Sequence, residues 1–179
     1  SVLNQTWKNI QLLVYNDASP DGSHAILLQL QEKHGFFYRN YEKNQGFTRV
    51  LNLAIKNEAK GDYICLLGSD DWYALTKIEK QVAFMEAHPE CGLVYTRFSK
   101  YVERDGSSQT VKRNYKSGKV YGDLLYANFI PASSVMIRRK TLDTVGLFDE
   151  NLYYEDLDMW LKISKISEVG FIDEDLAWY

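Results

Sequence analysis

Proline occurs three times and cysteine twice in these 179 residues, and each scarcity excludes something. With so few prolines and only eleven glycines, the chain is neither collagen-like nor a low-complexity segment. Two cysteines cannot build a disulfide scaffold. Cys65 and Cys91 lie inside apolar runs and lack metal-ligand spacing, which reads as buried free thiols in a reducing compartment. No apolar run reaches the roughly 18–20 residues that span a bilayer and nothing at the start reads as a signal peptide, so a cytoplasmic segment is expected. Positive charge is not in excess either. The 21 Lys and Arg stand against 24 Asp and Glu, the net charge is −3 and the basic residues are scattered, so nucleic acid is not an expected partner. The three histidines, His24, His34 and His88, do not pair at ligand spacing, and no serine stands in a Gly-x-Ser-x-Gly elbow.

The composition that remains, 45% hydrophobic and 25% charged, is that of an ordinary globular chain, long enough for one domain of roughly 100–200 residues. Ile10 to Tyr15 is apolar at nearly every position, as a strand buried on both faces is. Asn16 to Ser23 is a turn by composition, with Ser19 placed to cap a helix running from Pro20 to about His34. Phe36 to Tyr41 reads as a strand, Asn44 to Arg49 opens a helix ended by Gly61, and Asp62 to Leu67 is a strand running into Gly68-Ser69-Asp70-Asp71. A helix from Leu75 to Ala87, a half-exposed alternating strand from Gly92 to Val102 and a hairpin turn at Arg104 to Ser107 follow. Val111 to Val120 reads as a hairpin return and loop, Tyr121 to Phe129 as a short helix, Ser133 to Arg138 as a strand and Lys140 to Val145 as a helical turn. Glu155 to Ser167 is an amphipathic helix and Val169 to Ile172 a last strand. This alternation predicts an α/β fold with a mostly parallel sheet flanked by helices.

In such a sheet ligands bind beyond the carboxyl ends of the strands, and three polar clusters fall there: Asn16-Asp17, Asn44 to Arg49, and Ser69-Asp70-Asp71. Asp70 and Asp71 offer hard oxygen ligands suited to Mg²⁺ or Mn²⁺ shared with a substrate's phosphates. The same residues equally suit the cap of the helix that follows. Asp17 suits either a turn or the acceptance of a hydrogen bond from a nucleotide base. Gly46 permits close backbone approach to a ligand, Arg49 suits a phosphate, and Trp72 suits stacking on a sugar ring. Glu155, Asp156 and Asp158 crowd the first turn of a helix, where the macrodipole favours negative charge. That is either helix decoration or, at Glu155 or Asp156, the general base of a sugar transfer.

Taken in order, five blocks resemble the family 2 glycosyltransferases across almost the whole chain. Ser1 to Ile10 resembles that family's first-helix exit into its second strand. Asn16 to Ser23 is similar to its Asp-Asp-Gly-Ser-Thr-Asp-Gly-Ser block, Asn44 to Asn52 to its Asn-x-Gly block, Gly61 to Asp71 to its Asp-x-Asp strand, and Phe148 to Trp160 to its Glu-Asp acceptor-site motif. The resemblance implies a GT-A, Rossmann-like fold, a nucleotide-diphosphate sugar donor, a saccharide or lipid-linked acceptor, a divalent cation (Mn²⁺ or Mg²⁺) and inversion at the anomeric carbon. It also implies a role in cell-surface polysaccharide synthesis, with the full-length protein at the inner face of the plasma membrane. By position, Asp17 contacts the base, with Asn16, Gly46, Arg49 and Ser69 about the nucleotide. Asp70, with Asp71, takes the metal and diphosphate, and Asp156, with Glu155 beside it, is the base.

Two departures from the family pattern bear on activity. Gly68 stands where the family usually has Asp, which implies weaker donor or metal affinity unless Ser69 and Asp71 substitute, and which leaves open a catalytically impaired nucleotide-sugar-binding domain. A nucleotidyltransferase is the reading from another class, but its Gly-rich basic loop is not found. In the family a first strand precedes the position of Ser1 and a segment carrying Arg and His follows that of Tyr179. The resemblance therefore implies a single catalytic domain truncated at both ends, its nucleotide-binding half near 1–90 and its acceptor-binding half near 91–179. An empty central strand position exposes backbone and apolar side chains, so a homodimer or low stability is expected.

Overall fold

The computed structural model describes all residues from Ser1 to Tyr179. They pack as two compact units, each discontinuous in sequence. The smaller comprises Asn9–Gly61 and Phe148–Glu155, the larger Ser1–Lys8, Asp62–Leu147 and Asp156–Tyr179.

The smaller unit is a strand-helix-strand-helix sequence: β1 (Leu13–Asn16), α1 (Ser23–His34), β2 (Phe37–Asn40) and α2 (Phe47–Asn57). β1 and β2 pair in parallel, with Leu13 opposite Phe37 and Asn16 opposite Asn40. The apolar run of β1 predicts a strand buried on both faces, yet Leu13, Val14 and Tyr15 are only half-buried, because β1 has β2 as its one paired neighbour. α1 begins at Ser23 rather than at Pro20. The Ser19 N–H is drawn back to Asn16 Oδ1 (3.2 Å) in an Asx-type turn, while Asp21 Oδ1 accepts the Ser23 N–H (3.0 Å). Gly35 ends the helix in the left-handed region at φ 71. α1 buries no residue and exposes Ile26, Leu28 and Leu30, whereas α2 buries Val50, Asn52, Ala54 and Ile55 on one face.

The larger unit contains β3 (Tyr63–Cys65), β4 (Trp72–Tyr73), α3 (Lys77–Ala87), β5 (Cys91–Val102), β6 (Ser107–Thr110), α4 (Tyr121–Leu124), β7 (Met136–Arg138), α5 (Arg139–Val145), α6 (Glu155–Ile166, from Asp156 onward) and β8 (Glu168–Trp178). Its sheet order is β3-β7-β5-β8-β4, with β6 on β5. The α/β class holds, but the mostly parallel sheet is corrected to a mixed one. Only β5 and β8 run parallel there, while β3–β7, β5–β7, β5–β6 and β4–β8 are antiparallel. The strands joined through helices are not neighbours in this sheet, and hydrophobic period reports an element's type without its partner.

β5 also differs from expectation. Cys91 to Thr96 are all buried, because β7 and β8 flank the strand on both edges and α3 packs against it. β8 extends past Ile172, where the predicted strand ends, to Trp178, and a register shift between Thr96 and Arg97 passes over Asp173 and Glu174 before Asp175 pairs with Arg97. α4 stops at Leu124, short of the predicted Phe129. The core centres on Trp160, Tyr95, Met85, Leu93, Ile137, Met159 and Ile163, all fully buried. Gly170 makes room for Phe84, since a Cβ there would lie 2.2 Å from a ring carbon. No helix is long and apolar enough to cross a membrane.

Candidate functional site

At the exit of β1 the chain turns sharply. Asn16 is buried, its Nδ2 donating to Asn40 Oδ1 (2.7 Å), and Ala18 adopts φ 62, a left-handed conformation that costs a residue with a Cβ about 1–2 kcal/mol. Asp17, between them, accepts two backbone amides: Gln45 N–H on Oδ1 (2.7 Å) and Gly46 N–H on Oδ2 (3.0 Å). Gly46 has φ 92, which glycine adopts without strain, and it caps α2. Asn16, Asp17 and Gly46 are thus joined in one hydrogen-bonded loop. Arg49 is exposed on the first turn of α2, where Gln45 to Arg49 line an open groove of about 310 Å³ together with Glu150 and Asn151. That wall is a helix N-terminus, where free amides and the macrodipole favour anions. Asn52 fastens the far side, donating to Phe148 O (2.8 Å) and Glu150 Oε1 (3.0 Å) and accepting the Phe148 N–H (3.1 Å).

In the larger unit the loop beyond β3 forms a tight turn closed by the Asp71 N–H on Gly68 O (3.2 Å). An added Cβ at Gly68 would lie 3.0 Å from Asp71 Oδ2 and 3.1 Å from Asp70 Oδ1, so both carboxylates converge on the bare face of this glycine. Burial raises the Asp71 pKa and the Asp70 charge raises it further, against hydrogen bonds from the Gly68 backbone and the Ser133 side chain. Two converging hard-oxygen carboxylates that repel each other fit a divalent cation. Ser69 and Asp70 are exposed in the same turn. The Trp72 ring stacks on Trp178 (centroids 6.1 Å, planes 2° apart) and meets Tyr101 edge-on (5.1 Å), so protein packing already accounts for it.

Residues passed over in the sequence reading hold this turn. Lys77 is fully buried at the start of α3, its Nζ donating to Gln81 Oε1 (2.7 Å) and Val135 O (3.4 Å) and lying 4.0 Å from the Tyr73 ring centroid. Gln81 Nε2 donates to Ser134 O (2.8 Å), and the Tyr73 hydroxyl donates to Leu66 O. Burial pulls the Lys77 ammonium down to about 8. The available signal was Lys77 and Gln81 standing at i and i+4 on the buried stripe that continues to Met85.

Asp156 lies half-buried in the first turn of α6, with Glu155 before it. Its Oδ1 accepts the Leu157 N–H (2.7 Å) and its Oδ2 the Asn128 side-chain amide (3.1 Å). Asp158 instead pairs with Lys162 one turn along (2.6 Å).

The sequence profile of Glycosyl transferase family 2 matches residues 1–146. The chain belongs to this family. The matched range ends before Glu155 and Asp156. An uncharacterised glycosyltransferase of Rickettsia typhi is 34% identical over 98% of this chain and 56% of its own length. The UDP-Glc:alpha-D-GlcNAc-diphosphoundecaprenol beta-1,3-glucosyltransferase WfaP of Escherichia coli is 32% identical over 91% of the chain and 62% of its own length. The chain thus spans a little over half the length of these relatives. Among solved structures, the mannosyltransferase PcManGT of Pyrobaculum calidifontis, in complex with GDP-Man and Mn²⁺, superposes with TM-score 0.74 at 17% identity over 99% of this chain and 50% of that one. The fold is that of the GT-A glycosyltransferases.

Proposed function

We propose that this family 2 domain transfers a sugar from a nucleotide-diphosphate donor to an acceptor hydroxyl with inversion. The observation that carries the reading is the convergence of Asp70 and Asp71 over Gly68. Those residues would hold Mn²⁺ or Mg²⁺, which supplies positive charge against the diphosphate as it departs. The amide-lined start of α2, with Arg49 exposed on it, is suited to phosphate oxygens, and the loop built by Asn16, Asp17 and Gly46 to the nucleoside. Ser69, exposed beside the acid pair, is suited to the nucleotide as well. Asp156, or failing it Glu155, takes the proton from the acceptor hydroxyl as that oxygen attacks the anomeric carbon. The bond to the diphosphate oxygen breaks in the same displacement, its electrons leaving with the nucleoside diphosphate.

WfaP, by its name, uses UDP-Glc and a diphosphoundecaprenol-linked acceptor, which supports a lipid-linked saccharide acceptor here, and from that acceptor we infer a role in cell-surface polysaccharide synthesis at the inner face of the plasma membrane. The test is calorimetric titration of the full-length protein with UDP, GDP and dTDP, with and without Mn²⁺, followed by turnover of the matching sugar nucleotide. Metal-dependent binding of one nucleotide, with turnover lost in Asp156→Asn but binding retained, is the expected result. Absence of any metal-dependent nucleotide binding overturns the proposal.

A further inference from the structure

Asn128 stands in no motif, yet its side chain is engaged at both ends. Its Oδ1 accepts the Ile130 N–H (3.2 Å), and its Nδ2 donates to Asp156 Oδ2 (3.1 Å). The first bond fixes the amide's orientation. The reversed amide would set nitrogen against an N–H and oxygen against a carboxylate, unfavourable at both contacts. An Asx turn alone explains the bond to Ile130 but not the one to Asp156. The backbone is anchored as well. Arg113 Nη1 donates to Asn128 O (3.1 Å) while its guanidinium lies 5.2 Å from the Phe98 ring centroid, and the next two residues, Phe129 and Ile130, are buried.

We propose that Asn128 is a positioning residue that presets the carboxylate of Asp156 for proton transfer, an inference that rests on Asp156 being the base. With the Leu157 N–H on Oδ1 and Asn128 on Oδ2, each oxygen has one fixed donor, and each keeps a lone pair able to receive a proton. Both torsions of a short side chain at the start of a helix are thereby set before an acceptor arrives. Such preorganisation matters because a misplacement of about 1 Å in a reacting group can cost about 100-fold in rate.

Asn128→Asp retains an oxygen for the Ile130 N–H but sets a second carboxylate against Asp156, so it is read beside Asn128→Ala, which removes the donor without adding charge. The probes are UDP-glucose and GDP-mannose with Mn²⁺, with water as acceptor, reading nucleoside diphosphate release by the full-length protein. The expected result is a kcat lower by about 100-fold with donor KM and melting temperature near those of the wild type. Asn128→Ala, which also gives up the turn, is expected to show the same split between kcat and KM and serves if the aspartate variant does not fold. If Asp156→Asn abolishes release while both Asn128 variants keep wild-type kcat, the positioning role is overturned and the base assignment stands. The role is equally overturned if kcat falls only in step with donor affinity and melting temperature. If wild type releases no nucleoside diphosphate, or Asp156→Asn releases it at the wild-type rate, the base assignment falls and the role of Asn128 with it.

Discussion

The two units place the same chemistry, a carboxylate just past a strand, in opposite circumstances. In the smaller unit Asp17 receives one backbone amide on each oxygen and so shapes the loop that leads into α2. In the larger unit Asp70 and Asp71 face each other across a glycine, and the nearer effect of one on the other is repulsion. One arrangement satisfies its charge within the chain. The other is met only in part, by the Gly68 backbone and the Ser133 side chain on Asp71, and under the proposed function a cation takes up the rest.

The strongest way to break this contrast is to remove a charge from each unit and compare. Asp70→Ala is expected to lower turnover about 1000-fold, the scale of several kcal/mol of charge stabilisation, and to abolish Mn²⁺-dependent nucleotide binding, while urea unfolding moves by less than about 0.5 kcal/mol. Asp17→Asn is expected to do the reverse. Its amide can accept only one of the two N–H groups, so unfolding free energy should fall by about 2 kcal/mol, with nucleotide affinity reduced because the loop at Gln45 and Gly46 is no longer tethered. Equal destabilisation by the two substitutions in a chemical melt would erase the distinction.

Much of this was legible in the residues. The order of most elements, the acid turn after β3 and the acidic start of α6 follow from period and composition, because those signals are local, but β4 at Trp72–Tyr73 was not expected and the return strand β6 lies at Ser107–Thr110 rather than within Val111 to Val120. The pairing of strands is not local. Nothing in Met136 to Arg138 tells that the strand will insert between β3 and β5, and nothing in the acidic run at Asp173 to Asp175 tells that β8 continues through it. The same limit hid the supporting residues. Asn128 and Ser133 acquire meaning only once folding carries them to Asp156 and Asp71, 28 residues away in the case of Asn128. Lys77 was visible as a cation on an apolar stripe, but its partners Val135 O and the Tyr73 ring lie on other elements.

Lys77 sharpens the comparison in another way, since the larger unit buries a cation behind its acid turn. Its pKa is about 8 in the folded protein against an ordinary 10.5. Between these values the unfolded chain holds a proton that the folded chain has released, so stability attributable to Lys77 is constant below pH 8 and rises with pH above it. The Cys91 thiol, raised by burial to about 11 from 9, has the opposite slope above pH 9. The window from pH 8 to 9 therefore isolates the lysine. There the stability difference between wild type and Lys77→Met should shift by about 1 kcal/mol toward wild type, measured by urea unfolding at each pH. A difference that stays flat would mean the ammonium is not desolvated, and the larger unit would then hold no buried charge behind its site.

The smallest effect expected is at Gly68, and it tests the contrast at its narrowest point. The glycine is not there for backbone freedom, because its φ lies outside the positive region. What it gives is room, since a methyl group would sit 3.0 Å from Asp71 Oδ2 and 3.1 Å from Asp70 Oδ1. Both atoms are the ends of side chains that can turn aside by a few tenths of an ångström, so Gly68→Ala should fold with a melting temperature within about 1 °C of wild type. The carboxylates must nevertheless part, and the pair then presents its oxygens at the wrong separation for one cation. Mn²⁺-dependent nucleotide affinity should fall about 3- to 5-fold in a calorimetric titration, roughly 1 kcal/mol. If affinity is unchanged, the two acids do not act on a shared ligand, and the difference between the two units reduces to how fully each acid is hydrogen-bonded within the chain.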